Sequence, residues 1–264
     1  MRDLTVTLVQ SDIVSDNPAA NLDNLATLAA QAEPSDLLVL PEVFTTGFHP
    51  KARQHAEMAQ GPVHQWLSSL SARLNAVVTG SVVMHEAGRY TNRLLWAAPE
   101  GQPLHYDKRH LFRMAGEHQR YAPGERRVIA ELEGWRFLLQ VCYDLRFPVF
   151  SRNRGDYDAI VCVANWPAAR HDHWCALLKA RAIENLCYVI GVNRVGRDAY
   201  GQDYAGGSVV ISPKGELLAD AGDIEQVVST RLSAQALLIY REQFPAHLDA
   251  DSFTLHEVRP ADGD

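Results

Sequence analysis

Short apolar runs that end in polar, turn-forming residues recur along this chain, and between them the apolar positions switch from a period of two to a period near four. Residues 5–10 alternate as a half-buried strand does, and residues 36–40 and 135–141 are mostly apolar stretches of strand length. Leu22, Leu25 and Leu28 fall at helical spacing in an alanine-rich stretch, which predicts a helix over 21–32, and a second is predicted over 63–74. A strand over 76–84 follows, then a hairpin-like pair over 90–97 and 103–106 with Pro99-Glu100-Gly101 as its turn. Residues 108–131 are polar and aperiodic, with Gly116 and the pair Pro123-Gly124, and long loops of that kind are often functional. In the second half, strands over 158–163 and 187–192 bracket a helix over 172–186. Late strands are predicted over 207–211, 217–219 and 226–230, and Ser233 is placed to cap a last helix that ends before Pro245. No linker, repeat or low-complexity tract interrupts this, so one α/β domain is expected over 1–264, with two packed sheets and helices outside.

Composition narrows the partners. Hydrophobic residues make up 47% and charged residues 22%, both ordinary for a globular protein. A net charge of −7 with no Lys/Arg stripe argues against nucleic acid. The first residues enter a strand-like pattern without a signal-peptide core, and no apolar run approaches the roughly 20 residues that span a bilayer. A cytoplasmic protein without membrane contact is expected. The four cysteines lack C-x-x-C spacing, so a disulfide framework is not expected, and Cys162, Cys175 and Cys187 sit in apolar surroundings that suit small core residues. His171, His173 and Cys175 invite a zinc reading, but no second ligand cluster at zinc-like spacing completes it. No phosphate-binding glycine loop is present, and neither metal nor cofactor is expected.

The candidate chemistry lies at strand exits, where α/β sheets bind ligands. Cys142 follows the apolar run 135–141, Glu42 follows 36–40, and Lys108 stands just after 103–106. A thiol, a carboxylate and an ammonium brought together form an acyl-transfer set: nucleophile, proton carrier and oxyanion stabiliser. Each has a plainer reading. Glu42 could cap a strand end or bridge to a surface lysine, and Lys108 could be solvated in a basic loop with Arg109. A Cys–His pair is the rival mechanism, with His105, His110 and His118 in the right region, although no signature of such enzymes surrounds Cys142.

The segments LLVLPE (37–42), YDKRHLF (106–112) and QVCYDLRFP (140–148), in that order, resemble the three signatures of the nitrilase superfamily of carbon–nitrogen hydrolases. A fourth stretch, 117–125, resembles the segment in which that family carries an accessory glutamate ahead of a Pro-Gly turn, here Glu117. The likeness fades after about Phe244. It implies a four-layer αββα sandwich, subunits that pair as a homodimer or higher homo-oligomer, and a tail from about 245 that is extended, at a subunit interface. It implies Glu42 as the base, Lys108 and the backbone N–H of Tyr143 as oxyanion donors, Cys142 as the nucleophile, and Glu117 as the group that holds Lys108 or assists proton transfer. Trp166, after the 158–163 strand, either lines the pocket or sits in the core. CYDLRFP, VANWP and KARAIEN are most similar to the ω-amidase branch, which removes the terminal amide of small dicarboxylate monoamides such as 2-oxoglutaramate. N-carbamoyl or aliphatic amidases of the same superfamily are the alternatives, with a catalytically silent binding protein behind them. An ω-amidase must hold a remote carboxylate, and Arg113, Arg146 and Arg170 near strand exits are the candidates, with Phe44 as a further pocket residue; Arg146 could instead pair with Asp144 or another acid to brace the turn.

Overall fold

In the computed structural model, which describes residues 1–101 and 104–255, neighbouring residues of one strand face different layers. Among the described residues fourteen strands are formed: β1 (Leu4–Gln10), β2 (Leu37–Val39), β3 (Val77–Glu86), β4 (Arg89–Ala97), β5 (Leu104–Asp107), β6 (Ile129–Leu132), β7 (Trp135–Val141), β8 (Ala159–Ala164), β9 (Tyr188–Asn193), β10 (Val195–Arg197), β11 (Asp203–Ala205), β12 (Val209–Ile211), β13 (Leu217–Asp220) and β14 (Gln226–Leu232). The helices are α1 (Pro18–Ala29), α2 (Pro62–Leu74), the single turn α3 (Pro148–Ser151), α4 (His171–Asn185) and α5 (Ala234–Gln243).

Leu37 and Val39 of β2 point into the core between the sheets, while Leu38 and Leu40 pack under α1 and α2 with Leu25, Leu67 and Leu70. Phe137, Leu139 and Val141 of β7 meet that same central core, while Leu138 turns outward to Trp174 and Leu178 of α4. Three apolar layers separated by two sheets result: helices, sheet, sheet, helix. This is the αββα sandwich. Strands buried on both faces explain the near-continuous apolar runs of β2, β7 and β8.

The first sheet has the order β14-β1-β2-β3-β4-β5 and the second β13-β12-β9-β8-β7-β6. β1, β2 and β3 run parallel, as do β7, β8 and β9. The carboxyl ends of these strands lead into the turns that carry Glu42, Cys142 and Asn165, and β9 itself ends on Asn193.

Some boundaries differ from expectation for identifiable reasons. α1 begins at Pro18, because Asn17 caps it through its side chain (3.2 Å from the Ala20 N–H) and proline suits the first helical position. The aperiodic stretch 108–131 contains two 3-10 turns, Arg113–Ala115 and Glu117–Gln119, and ends in β6, a four-residue edge strand too short for its alternation to register. The hairpin β10–β11 was also not expected. Pro103, assigned to the strand 103–106, lies outside the described residues. After α5, Ala246–Asp249 forms a further 3-10 turn, and 250–255 has no regular structure; the remainder of the predicted tail lies outside the described residues. Among the described residues, no helix is long and apolar enough to cross a membrane.

Candidate active site

Glu42 owes its position to a sharp turn after β2. The next residue, Val43, has φ 41°, a left-handed conformation that is a genuine outlier for a β-branched side chain. The first sheet holds it there: Val43 N–H donates to Ser81 Oγ (2.9 Å) and Phe44 N–H to the Ser81 carbonyl (3.1 Å). Glu42 is thereby turned inward and is 1% exposed. Its Oε1 accepts from Lys108 Nζ (2.9 Å) and Asn92 Nδ2 (2.8 Å), and its Oε2 from the backbone N–H of Asn165 (2.7 Å). An ionised carboxylate offers about four acceptor sites. Three are taken, and one remains for a proton arriving from the cavity.

Lys108 leaves β5 with its backbone fixed on both sides, its N–H donating to the Asn92 carbonyl (2.9 Å) and its carbonyl accepting from Gly124 (2.9 Å). A Cβ at Gly124 would lie 2.0 Å from the Asp107 carbonyl oxygen, so the Pro-Gly turn requires the glycine for this approach. Nζ lies between two buried carboxylates, Glu42 and, at 3.0 Å, Glu117. Glu117 follows Gly116 (φ 67°) and is itself anchored by the Phe112 N–H at 2.6 Å. Burial alone would push the lysine pKa down, but Glu117 and Glu42 reverse this and hold it well above its usual value. Lys108 is therefore a permanent ammonium with three donors, two of them spent on carboxylates. Burial pushes Glu117 upward, against the pull of Lys108.

Cys142 opens the 3-10 turn Cys142–Arg146 directly after β7, with φ 48°. Non-glycine residues persist in this region only where the surroundings over-determine them. Here the brace is Asp144, fully buried, which accepts from Val141 N–H (3.0 Å), the Tyr106 hydroxyl (2.7 Å) and the His110 N–H (2.9 Å), with His110 Nδ1 at 2.7 Å. The N–H of Tyr143 falls in the first turn, where backbone donors lack helical partners. Burial, and then the Glu42 carboxylate, push the Cys142 thiol well above the usual cysteine range, with Lys108 opposing. At neutral pH the group is a thiol beside a base, not a standing thiolate.

Glu42, Lys108 and Cys142 line one cavity of about 360 Å³, and Glu117 stands behind Lys108. Tyr143, Arg146, Trp166 and Arg170 line it too. Phe44 and Arg113 do not. The turn at Val43 sends Phe44 into the core under α2, where Gly80 makes room for its ring and Trp66 lies 6.0 Å away. Arg113 is exposed on its own 3-10 turn. Arg146 does not pair with Asp144, whose oxygens are already occupied; its guanidinium lies over the Trp166 indole at 4.8 Å. His105, His110 and His118 stay out of the cavity, His110 being engaged with Asp144. His171 and Cys175 approach to 3.4 Å on α4, but His173 turns to Arg146, so the three do not converge.

Sequence reasoning missed Asn92 and Asn165, which orient Glu42. A polar asparagine inside the apolar 90–97 strand was the available signal, since buried polar groups need partners. It also missed the wall built by Tyr200, Gln202 and Tyr204 of the unforeseen hairpin.

With this geometry, a carbon–nitrogen hydrolase family model matches residues 5–238, and the chain belongs to that family. It is 48% identical over 257 residues to the omega-amidase YafV of Yersinia enterocolitica, an alignment covering 97% of this chain and 100% of that one. It is 33% identical to the 2-oxoglutaramate amidase of Bacillus subtilis, covering 93% and 96% of the two chains. Among solved structures, XC1258 from Xanthomonas campestris, a CN-hydrolase superfamily protein crystallised with an arsenic adduct in its active site, superposes with a TM-score of 0.95 at 49% identity, over 97% of this chain and 100% of that one. Nit3 of Saccharomyces cerevisiae, at 24% identity and covering 92% and 95% of the two chains, shares the fold with a TM-score of 0.86.

Proposed function

We propose that this protein is an ω-amidase that hydrolyses the terminal amide of small dicarboxylate monoamides through a thioester on Cys142. The observation that carries the reading is the buried array Glu42–Lys108–Glu117, which meets the Cys142 thiol in one cavity. The names of the relatives aligned over nearly the whole chain agree with it.

As Cys142 Sγ attacks the amide carbon, its proton passes to the free acceptor site of Glu42. A thiol held above its normal range requires that the proton leave during the attack rather than before it. The developing oxyanion receives the third N–H of Lys108 and the N–H of Tyr143, both fixed before the reaction begins. Collapse of the adduct breaks the C–N bond, and Glu42 returns the proton to the departing nitrogen, which leaves as ammonia. Water then attacks the thioester, Glu42 takes its proton, and the acid leaves as Cys142 recovers its hydrogen. Glu117 holds Lys108 in place; with both carboxylates bonded to Nζ, the lysine neither drifts nor deprotonates. Four cysteines without a disulfide agree with a reducing compartment such as the cytoplasm, and the family resemblance supports assembly as a homodimer.

An ammonia-release screen over carboxylate-bearing monoamides, carbamoyl acids, uncharged amides and nitriles tests the reading. The expected leaders are 2-oxoglutaramate and succinamate. Faster release from a carbamoyl acid or from butyramide would replace the ω-amidase assignment with another amidase.

A further inference from the structure

We infer that Asn193 is a positioning residue for the reaction, one that aims the proton-accepting oxygen of Glu42 through the backbone of Asn165 and Trp166. This role rests on the proposed amidase reading, in which Glu42 is the base.

The two oxygens of Glu42 are unequal. Oε1 accepts from Lys108 and Asn92, which fills its two acceptor sites. Among the described residues Oε2 accepts only the backbone N–H of Asn165 (2.7 Å). The open site that takes the thiol proton is therefore on Oε2, and the Asn165 N–H sets the direction in which that site points. The Asn165 side chain closes the contact from its other end, Nδ2 donating to the Glu42 carbonyl.

That N–H lies just past the end of the sheet. The parallel ladder of β8 and β9 stops at the pair Ala164 and Asn193, so the backbone beyond it needs another support. The Asn193 carboxamide provides it. Its Oδ1 accepts from the Trp166 N–H (2.7 Å) and its Nδ2 donates to the Trp166 carbonyl (3.1 Å), one bond accepted and one donated, as a neighbouring strand supplies them. Among the described residues these are the only partners of the Trp166 backbone. Asn165 is thus gripped on both sides, by the ladder at Ala164 and by Asn193 at Trp166.

Asn193 is itself rigid. It is fully buried, its N–H donates to Ser208 Oγ (2.9 Å), and its carbonyl accepts from the same hydroxyl (3.0 Å). It does not line the cavity, so it acts on the reaction only through the backbone it holds. Nδ2 also donates to the Gly206 carbonyl (2.9 Å), at the root of the β10–β11 hairpin that carries Tyr204 to the cavity wall. That hairpin has further anchors, the Gly206 N–H on the Arg194 carbonyl (3.1 Å) and the Val195 N–H on the Ser11 carbonyl (3.1 Å). Trp166 has none for its backbone, so loss of Asn193 falls on the base more heavily than on the wall.

The experiment compares Asn193→Ala with Asn185→Ala. Asn185 is a similarly buried asparagine at the last position of α4, bonded to the Asn153 N–H (2.8 Å) and the Arg181 carbonyl (2.9 Å) and away from the cavity. Both variants are expected to melt at lower temperature. Only Asn193→Ala is expected to lower kcat on succinamate, by about 10²-fold with a smaller change in KM, because a misplaced base costs rate. It should also slow alkylation of Cys142 by iodoacetamide about tenfold, read from the mass of the Cys142 peptide, since the thiol needs the base to take its proton. Asn193→Asp keeps the size of the side chain and the bond to the Trp166 N–H, is expected to show the same losses more mildly, and serves if the alanine variant does not fold. Turnover and alkylation per folded enzyme equal to those of Asn185→Ala, or a loss confined to KM, would overturn the positioning role. Alkylation that follows Asn193 in a protein that hydrolyses no amide would keep the role and sink the amidase reading. Amide hydrolysis indifferent to Asn193 would do the reverse.

Discussion

The two ends of the cavity are built on opposite rules. At its floor, Glu42, Lys108 and Glu117 are between 0% and 1% exposed, and each is bonded to at least two neighbours drawn from separate elements. At its mouth, Arg146 and Arg170 are half-buried and lack any acidic partner among the described residues, while Tyr200 is 54% exposed. Two of the non-glycine residues with positive φ, Val43 and Cys142, belong to the floor as well. Groups that must stabilise a transition state are fixed before substrate arrives, because reorganisation during the reaction would cost rate. The arginines at the mouth are left without a carboxylate partner among the described residues, so an anionic group entering there would supply one.

Changes at the floor should therefore produce the largest losses. Cys142→Ala is expected to lower kcat by at least about 10⁴-fold with little change in thermal stability, since a nucleophile acts as part of a unit. Cys162→Ala should keep most of its turnover, because Cys162, although its sulfur meets the Cys142 backbone N–H, packs among the apolar side chains under α4 and does not line the cavity. Steady-state ammonia release on both variants checks this, and substantial activity in Cys142→Ala would break the contrast at once. Glu42→Gln comes next, with a loss of about 10²–10⁴-fold, because an amide cannot carry the proton.

Lys108→Met separates rate from stability. Removing one oxyanion donor costs about 10²–10³ in turnover. It also strands two buried carboxylates, and breaking a buried pair typically costs about 3–5 kcal/mol. If the floor is as interlocked as its bonds imply, the double variant Lys108→Met/Glu117→Gln recovers part of the stability and none of the activity. Chemical denaturation alongside kinetics reads both, and recovery of activity would contradict the role given to Lys108.

Much of this was legible in the sequence. The strand exits at Glu42 and Cys142 were visible because strands buried on both faces leave unbroken apolar runs that stop abruptly, whereas Lys108 follows β5, a short and partly exposed edge strand. Glu117 was reachable only through family resemblance, since a glutamate in an aperiodic loop carries no local sign of burial. Phe44 was misplaced because a positive φ at a valine cannot be foreseen from residue type, and that one dihedral decides which layer the next ring enters. The asparagines that hold Glu42 come from β4 and the exit of β8, about fifty and more than a hundred residues from it, a juxtaposition that only the sheet order creates.

The smallest effect concerns pH. Cys142, Cys162 and Cys187 are all shifted upward, chiefly by burial. The unfolded chain thus loses these protons first, near the free-thiol value of about 8.5, while the folded chain retains them. Stability is fully present below that pH and falls as pH rises above it. Melting temperatures measured from pH 7 to 10 should decline over the upper part of that range, and the decline should be shallower in Cys187→Ala. A rise in stability above pH 8.5 would contradict the burial of these thiols.

The most direct measurement is the mass of the Cys142 peptide after an acid quench during turnover of 2-oxoglutaramate or succinamate. The mechanism predicts an increment equal to the substrate minus ammonia, carried by that peptide alone, absent from Cys142→Ala and formed far more slowly in Glu42→Gln. Turnover with an unmodified Cys142 peptide under conditions that preserve thioesters, or an acyl group found instead on Cys175, would contradict it.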